Sequence, residues 1–380
     1  MLAQFPAVVL TGPRQVGKTS LLVARFPEYR YVALDYATNA EQAETRPQEF
    51  LAANPPPLII DEAQYAPSLL RHIKALIDSR RGETGLFIIT GSQSFPLMDA
   101  ASESLSGRAA LLELYGLGYG EWRAAWPDVP PGSFLFRGSF PGLWNDPESP
   151  VDRERWYQSY VSTYLERDVR NILNIGRLRD FERFVRICAS RVARNLNMSD
   201  MGRDVGISPT TAKEWLSVLV ASGQIRFLEP YYESMGKRIA KSPKLYFHDT
   251  GLAAFLAGYS SYEAMAASPF MGLYWENHVV GQWQRYKSWR RPEAGIYYWQ
   301  NQSKLEVDIV VELDRRLYPI ECKWKEKPDN GDIRGIRAFQ SAYPRERLGE
   351  ASIACLCESS FDVAEGATAR SGWDAWDIAR

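Results

Sequence analysis

Residues 12–19 read Gly12-Pro13-Arg14-Gln15-Val16-Gly17-Lys18-Thr19, which fits the pattern G-x-x-x-x-G-K-[ST] in full. Each residue type has a chemical reason to be there. Glycines let a backbone curl so that its N–H groups point at phosphate oxygens. Lys18 supplies a long cation for the β- and γ-phosphates, and Thr19 offers a hydroxyl to Mg²⁺. An apolar run precedes the loop and a helical pattern follows it through Ser20, the context the motif requires. Gly12 to Ser20 are therefore the expected binding residues for a nucleoside triphosphate with Mg²⁺.

Three further segments carry polar groups suited to that chemistry. The apolar run Leu58-Ile59-Ile60 ends in Asp61-Glu62. Asp61 is expected to hold Mg²⁺, directly or through water, and Glu62 to orient or deprotonate an attacking water. An acidic strand end is common in isolation; its place 42 residues after Thr19 gives it weight. Residues 86–90 form another apolar run that ends in Gly91-Ser92-Gln93. Ser92 or Gln93 there can contact a γ-phosphate or the water, although a polar turn explains them equally simply. Arg108 follows Ser104-Leu105-Ser106-Gly107; it either reaches a neighbouring subunit's γ-phosphate or is a surface arginine or helix-end cap.

A second constellation lies near the other end of the chain. Asp308 sits in a strand pattern, and Glu321-Cys322-Lys323 follows thirteen residues later in the next one. Residues two apart in a strand share a face, so Glu321 and Lys323 can act together. This arrangement resembles the PD-(D/E)xK nuclease core. The resemblance implies that Asp308 and Glu321 hold Mg²⁺ and that Lys323 orients or activates water. It also implies Glu276, in the preceding helical pattern, as a further acidic ligand. Degenerate versions of that fold keep the shape and lose cleavage.

These groups need elements to position them. Strand patterns at 7–10, 31–35, 57–61, 86–90 and 109–114 alternate with helical patterns at 18–25, 38–53 and 69–80, which predicts a parallel sheet covered on both faces. A Pro/Gly-rich stretch at 127–142 reads as a boundary or lid connection. Residues 152–228 are mostly helical in pattern, with apolar spacings of three and four in 156–173 and 181–193. From about 270, a helix at 273–289, strands at 296–300, 306–312 and 317–323, a helix at 332–343 and a strand at 351–357 form a second α/β unit.

Residues 197–223 look like a helix-turn-helix. Gly206-Ile207-Ser208 gives the turn, Ser208 is an N-cap candidate and Pro209 suits a first helical turn. Strands at 224–232 and 244–247 then flank a basic segment with Lys237, Arg238 and Lys241, the layout of a winged helix. Thr210, Thr211 and Lys213 would face a DNA groove. The same fold also serves protein–protein or lid roles, and this second helix is poor in Arg and Lys.

The net charge of −1 excludes a global basic field, so any nucleic-acid contact must come from a local face. The four cysteines and three histidines show no zinc spacing and no disulfide framework, which fits a reducing cytoplasm. No signal peptide and no membrane-length apolar stretch appear.

The nucleotide-site features, in this order, resemble the AAA+ ATPases. More narrowly, the chain resembles a prokaryotic family of AAA-type ATP-binding proteins with a C-terminal domain of unknown function. GPRQVGKTSLL, LIIDEAQ, FIITGSQSF, SLSGRAALLEL, YLERDVRNIL, KLYFHDTGLAAFLAG, WENHVVGQW and EVDIVVE with IECKW carry that resemblance. It implies ATP as the nucleotide, Lys18, Thr19, Asp61 and Glu62 as the ATPase core, Ser92 or Gln93 as sensor and Arg108 as an arginine finger. Family members carry a helical lead-in before the first strand. Here that strand begins close to Met1, which implies either an adenine pocket with less of its wall or a start further upstream.

The expected fold is therefore α/β: an AAA+-like P-loop domain at 1–130, a helical lid and winged-helix module at 131–260, and a PD-(D/E)xK-like α/β domain at 261–380. The expected partners are ATP/ADP and Mg²⁺, DNA, and further copies of the chain as a homo-oligomer. The runner-up is an ATP-switched regulatory or remodelling oligomer whose C-terminal domain is an inactive binding module.

Overall fold

The computed structural model describes residues 1–91, 104–145, 151–165, 178–232 and 242–376. The chain divides into two compact units, Met1–Gly116 with Ala221–Gly223, and Leu117–Val220 with Gln224–Arg380.

The first unit is built on five parallel strands: β1 (Ala7–Thr11), β2 (Arg30–Ala33), β3 (Leu58–Asp61), β4 (Phe87–Thr90) and β5 (Ala109–Glu113), in the order β2-β3-β4-β1-β5. The three central strands are buried at every residue, as a sheet covered on both faces demands. One face packs Val9, Ile60 and Ile89 against Leu69, Leu70, Ile73 and Ile77 of the helix Leu69–Ser79. The other packs Leu10, Ile59 and Ile88 against Leu22 of the helix Lys18–Arg25. Because all strands run the same way, the ends of β1, β3 and β4 meet at one sheet edge, which carries Gly12, Asp61 and Thr90. The helix expected over 38–53 is instead two, Ala37–Thr45 and Pro47–Ala53. Pro47 drives Arg46 to φ −133°, ψ 56°, off the helical region.

In the second unit the helices Leu178–Ser190, Met198–Val205 and Pro209–Ala221 pack together, with Trp215 edge-on to Phe181 and Phe184. Gly206 closes Met198–Val205 at φ 82°, and Ser208 Oγ accepts from Thr211 N at 3.0 Å to open the next helix. A two-stranded antiparallel sheet follows, β6 (Ile225–Leu228) with β7 (Lys244–Phe247). Lys237, Arg238 and Lys241 lie outside the described residues. Of the helix expected over 156–173, Arg153–Tyr160 and Val161–Leu165 are helical, and the rest lies outside the described residues.

The remaining sheet is mixed, in the order β12-β13-β11-β10-β9-β8. β8 (Gly295–Gln300), β9 (Glu306–Leu313) and β10 (Arg316–Cys322) form an antiparallel meander. The helix Arg334–Ala342 then crosses over to β11 (Ala351–Cys355), parallel to β10. The structure adds two short strands, β12 (Phe361–Ala364) and β13 (Ala367–Ser371), the second of small and polar residues. The helix Met271–Arg290 is buried on every side from Tyr274 to Trp283, so its polar residues need partners inside the protein.

Candidate functional site

The loop after β1 bends through backbone conformations that few residues accept. Gly12 has φ 142°, Gln15 φ 64° and Gly17 φ 89°. A Cβ at Gly12 would stand 2.1 Å from the Leu114 carbonyl oxygen, so only glycine fits. Lys18 starts the helix and is buried. Its Nζ donates to the carbonyls of Gly12 at 2.9 Å and Pro13 at 2.8 Å. Burial lowers the Lys18 pKa to about 8, against the pull of Glu62 and Asp61.

Asp61 is the hub of this edge. Its Oδ2 accepts from Thr19 Oγ1 at 2.6 Å and from the Tyr31 hydroxyl at 2.8 Å. Its Oδ1 accepts from Thr90 Oγ1 and, at 3.1 Å, from the Glu62 backbone N–H. The Tyr31 hydroxyl is pushed well up by burial and by its bond to Asp61. Glu62 adopts a left-handed backbone, φ 56° and ψ 44°, and its carboxylate accepts from Gln64 Nε2. A hydroxyl and a carboxylate meeting at the mouth of a phosphate loop form a hard-oxygen donor set that suits Mg²⁺.

Tyr31 and Thr90 were not singled out from the sequence. The signal for Thr90 was present: it is the polar residue that ends the otherwise apolar strand β4, beside β1. Ser92 and Gln93 lie outside the described residues. Arg108 immediately precedes β5, where its carbonyl accepts from Ala7 N at 3.2 Å. That is the sheet edge opposite the loop. Its guanidinium grips Asp78 through two bonds of 2.6 and 3.0 Å.

The downstream constellation also assembles, with an unforeseen member. Asp308 Oδ2 accepts from Cys322 N at 2.8 Å, and Glu321 Oε1 accepts from Lys323 Nζ at 2.6 Å. Glu276 Oε1 accepts from Lys244 Nζ at 2.9 Å and from the Tyr246 hydroxyl at 2.5 Å. Lys244 also lies 2.5 Å from Glu306 Oε1 and 3.9 Å from Asp308 Oδ1. Burial raises Glu276 to about 7, and burial with the nearby Asp308 raises Glu321 well above the usual range. Of the expected trio Glu276, Asp308 and Glu321, the first two thus face the Lys244 ammonium, and Glu321 faces that of Lys323. Among the described residues no three acidic, His or Cys groups are arranged to hold a metal ion.

Residues 4–122 match the family model for an AAA domain. Residues 133–263 and 271–371 each match a domain of unknown function, DUF8612 and DUF4143. Uncharacterized proteins of Mycobacterium tuberculosis and Mycobacterium bovis are each 32% identical over 378 residues, covering 96% of this chain and 79% of theirs. The chain belongs to their family. It is similar in structure to a Walker-type ATPase of Pyrococcus abyssi, at 17% identity and a TM-score of 0.41, over 67% of this chain and 92% of that one.

In this family member the AAA domain is a P-loop NTPase domain, and a P-loop NTPase domain implies nucleotide binding. The downstream cluster straddles the two matched domains: Lys244 and Tyr246 come from the first, and the four carboxylates and Lys323 from the second. Among the described residues no helix is long and apolar enough to cross a membrane.

Proposed function

We propose that this chain is a Mg²⁺-dependent ATPase of the AAA+ type whose nucleotide state controls a DNA-facing downstream unit. The observation that carries the ATPase reading is the 2.6 Å bond from Thr19 to Asp61. It puts both hard-oxygen groups at the mouth of the loop, and Lys18 and Glu62 are their chain neighbours. Lys18 exchanges its loop carbonyls for phosphate oxygens. Thr19 and Asp61 hold the ion, which supplies positive charge against the developing phosphoryl charge. Glu62 orients the water and accepts its proton. Adenine as the base rests on the family resemblance. The test is Glu62→Gln. Nucleotide binding stays within a few-fold of wild type while phosphate release falls by about 10²-fold or more; unchanged release removes the hydrolase reading.

The DNA reading has its own support. The helix-turn-helix with its β6–β7 sheet supports the winged-helix reading, and the β8–β11 sheet with its crossover helix supports the nuclease-like one. Thr210 and Lys213 are exposed at the start of Pro209–Ala221. On Leu178–Ser190, Arg179, Arg183 and Arg186 are exposed and share one face, opposite the buried Phe181, Phe184 and Cys188. That stripe is the local basic face the net charge required.

A further inference from the structure

Lys244 is the least expected residue in the second unit. Its side chain is 4% exposed, yet its ammonium lies within ion-pair distance of Glu276, Glu306 and Asp308. β7 is held in place to deliver it. Asn277 grips the backbone of Phe247 from both sides, accepting from its N–H at 2.7 Å and donating to its carbonyl at 3.2 Å. Tyr246 adds its hydroxyl to the Glu276 oxygen that Lys244 uses. Burial opposes the charge on Lys244, but Glu276, Asp308 and Glu306 together hold its pKa above the ordinary lysine value.

A divalent cation held by Glu276 and Asp308 would need two of these three carboxylates, at about 2.0–2.6 Å from its centre. The ammonium already lies among them, and two cationic centres cannot share the space without strong repulsion. The reverse also holds. Without Lys244, three carboxylates would face one another in a poorly solvated pocket, which is costly unless another cation enters. We propose that Lys244 is the resident cation of this pocket: it takes the place of a divalent metal and fastens β7 to the C-terminal sheet. The second unit is then a metal-independent binding module that engages its partner without cutting it. The inference rests on the nuclease-like reading only in identifying where a metal would have been; the lysine and its carboxylates stand on geometry.

The test is a titration of nucleotide-free full-length protein with Mn²⁺ by calorimetry, with thermal unfolding in parallel. Wild type shows no binding tighter than about 1 mM, the upper edge of ordinary weak association, and no shift in Tm. Lys244→Met is destabilised and regains Tm when Mn²⁺ is added; adding Asp308→Asn removes that rescue. If Lys244→Met does not fold, Lys244→Met with Glu276→Gln lowers the charge excess, and the wild-type titration decides alone. Micromolar Mn²⁺ binding by wild type that Asp308→Asn abolishes overturns the proposal, as does a folded Lys244→Met that is neither destabilised nor responsive to metal. Binding of wild type to a DNA duplex is measured separately; its absence removes the DNA reading and leaves the Mn²⁺ result standing.

Discussion

Thr19 Oγ1 donates to Asp61 Oδ2 at 2.6 Å, joining the first turn of one helix to the end of a strand 42 residues on. Tyr31 donates to the same oxygen from the neighbouring strand. Asp61 Oδ2 is thus held by hydroxyls from two directions. Thr19→Val keeps the shape of the side chain and removes the hydroxyl. In a titration with fluorescent nucleotide, wild type binds more tightly in Mg²⁺ than in EDTA, and Thr19→Val loses that difference, a fall of about 10-fold or more in Mg²⁺. Tyr31→Phe produces a smaller fall of the same kind. An undiminished Mg²⁺ effect in Thr19→Val contradicts the role given to the pair.

Nucleotide affinity depends on pH through Lys18. Its buried amine has a pKa lowered to about 8. The amine is therefore charged below that value and increasingly neutral above it. Phosphate binds the charged form, so affinity is full near pH 7 and falls as pH rises through 8, by up to tenfold per unit beyond it. Binding at pH 9 takes up a proton, which calorimetry in buffers of different ionisation heat detects. An affinity that is flat from pH 7 to 9 rules out the lowered value.

The P-loop unit was legible because its chemistry is local. Gly12 to Thr19 need a strand before and a helix after, and the apolar runs at 58–60 and 86–89 announce the neighbouring strands. Thr90 and Tyr31 were harder, because their role depends on the order β2-β3-β4-β1, which pairs segments distant in sequence. The break at Arg46 was visible in Pro47 and was outweighed by the helical pattern around it. Lys244 was the deepest omission. As sequence it is one lysine in Lys244-Leu245-Tyr246-Phe247, and only the docking of β7 against Met271–Arg290 and β9 brings it to three acidic residues, Glu276, Glu306 and Asp308. β12 and β13 were harder because they are short and their buried stripe, Ala367 and Ala369, is built of small residues; they complete an edge already begun by β11.

The arginine stripe on Leu178–Ser190 makes a quantitative prediction. If Arg179, Arg183 and Arg186 each neutralise one phosphate, replacing all three by alanine weakens duplex binding without regard to sequence. The slope of log affinity against log salt becomes shallower by about three times 0.9. Thr210→Ala with Lys213→Ala has the smaller effect on that slope. Mobility shifts across a salt series separate the two; an unchanged slope in the triple arginine variant moves the contact elsewhere.

Arg108 cannot serve the P-loop of its own chain. It stands before β5, beside Ala7 at the start of β1, whereas the loop leaves β1 after Thr11. Five residues of strand separate the two edges by about 16 Å. The arginine is also committed to Asp78, whose carboxylate is held below its usual range by that bond, while the guanidinium is held above its own. A catalytic role therefore requires a second copy of the chain and release of Asp78. Turnover per molecule in wild type should rise with protein concentration as copies associate, and light scattering with an ATP analogue should show the assembly directly. Arg108→Ala should stay at the dilute value, at least about 10²-fold below assembled wild type, given what a trans-acting arginine contributes. Asp78→Asn frees the arginine and should reach full activity at lower concentration. If Arg108→Ala keeps the concentration dependence of wild type, the pair with Asp78 only braces Leu69–Ser79 against the start of β5, and its loss appears in thermal unfolding alone.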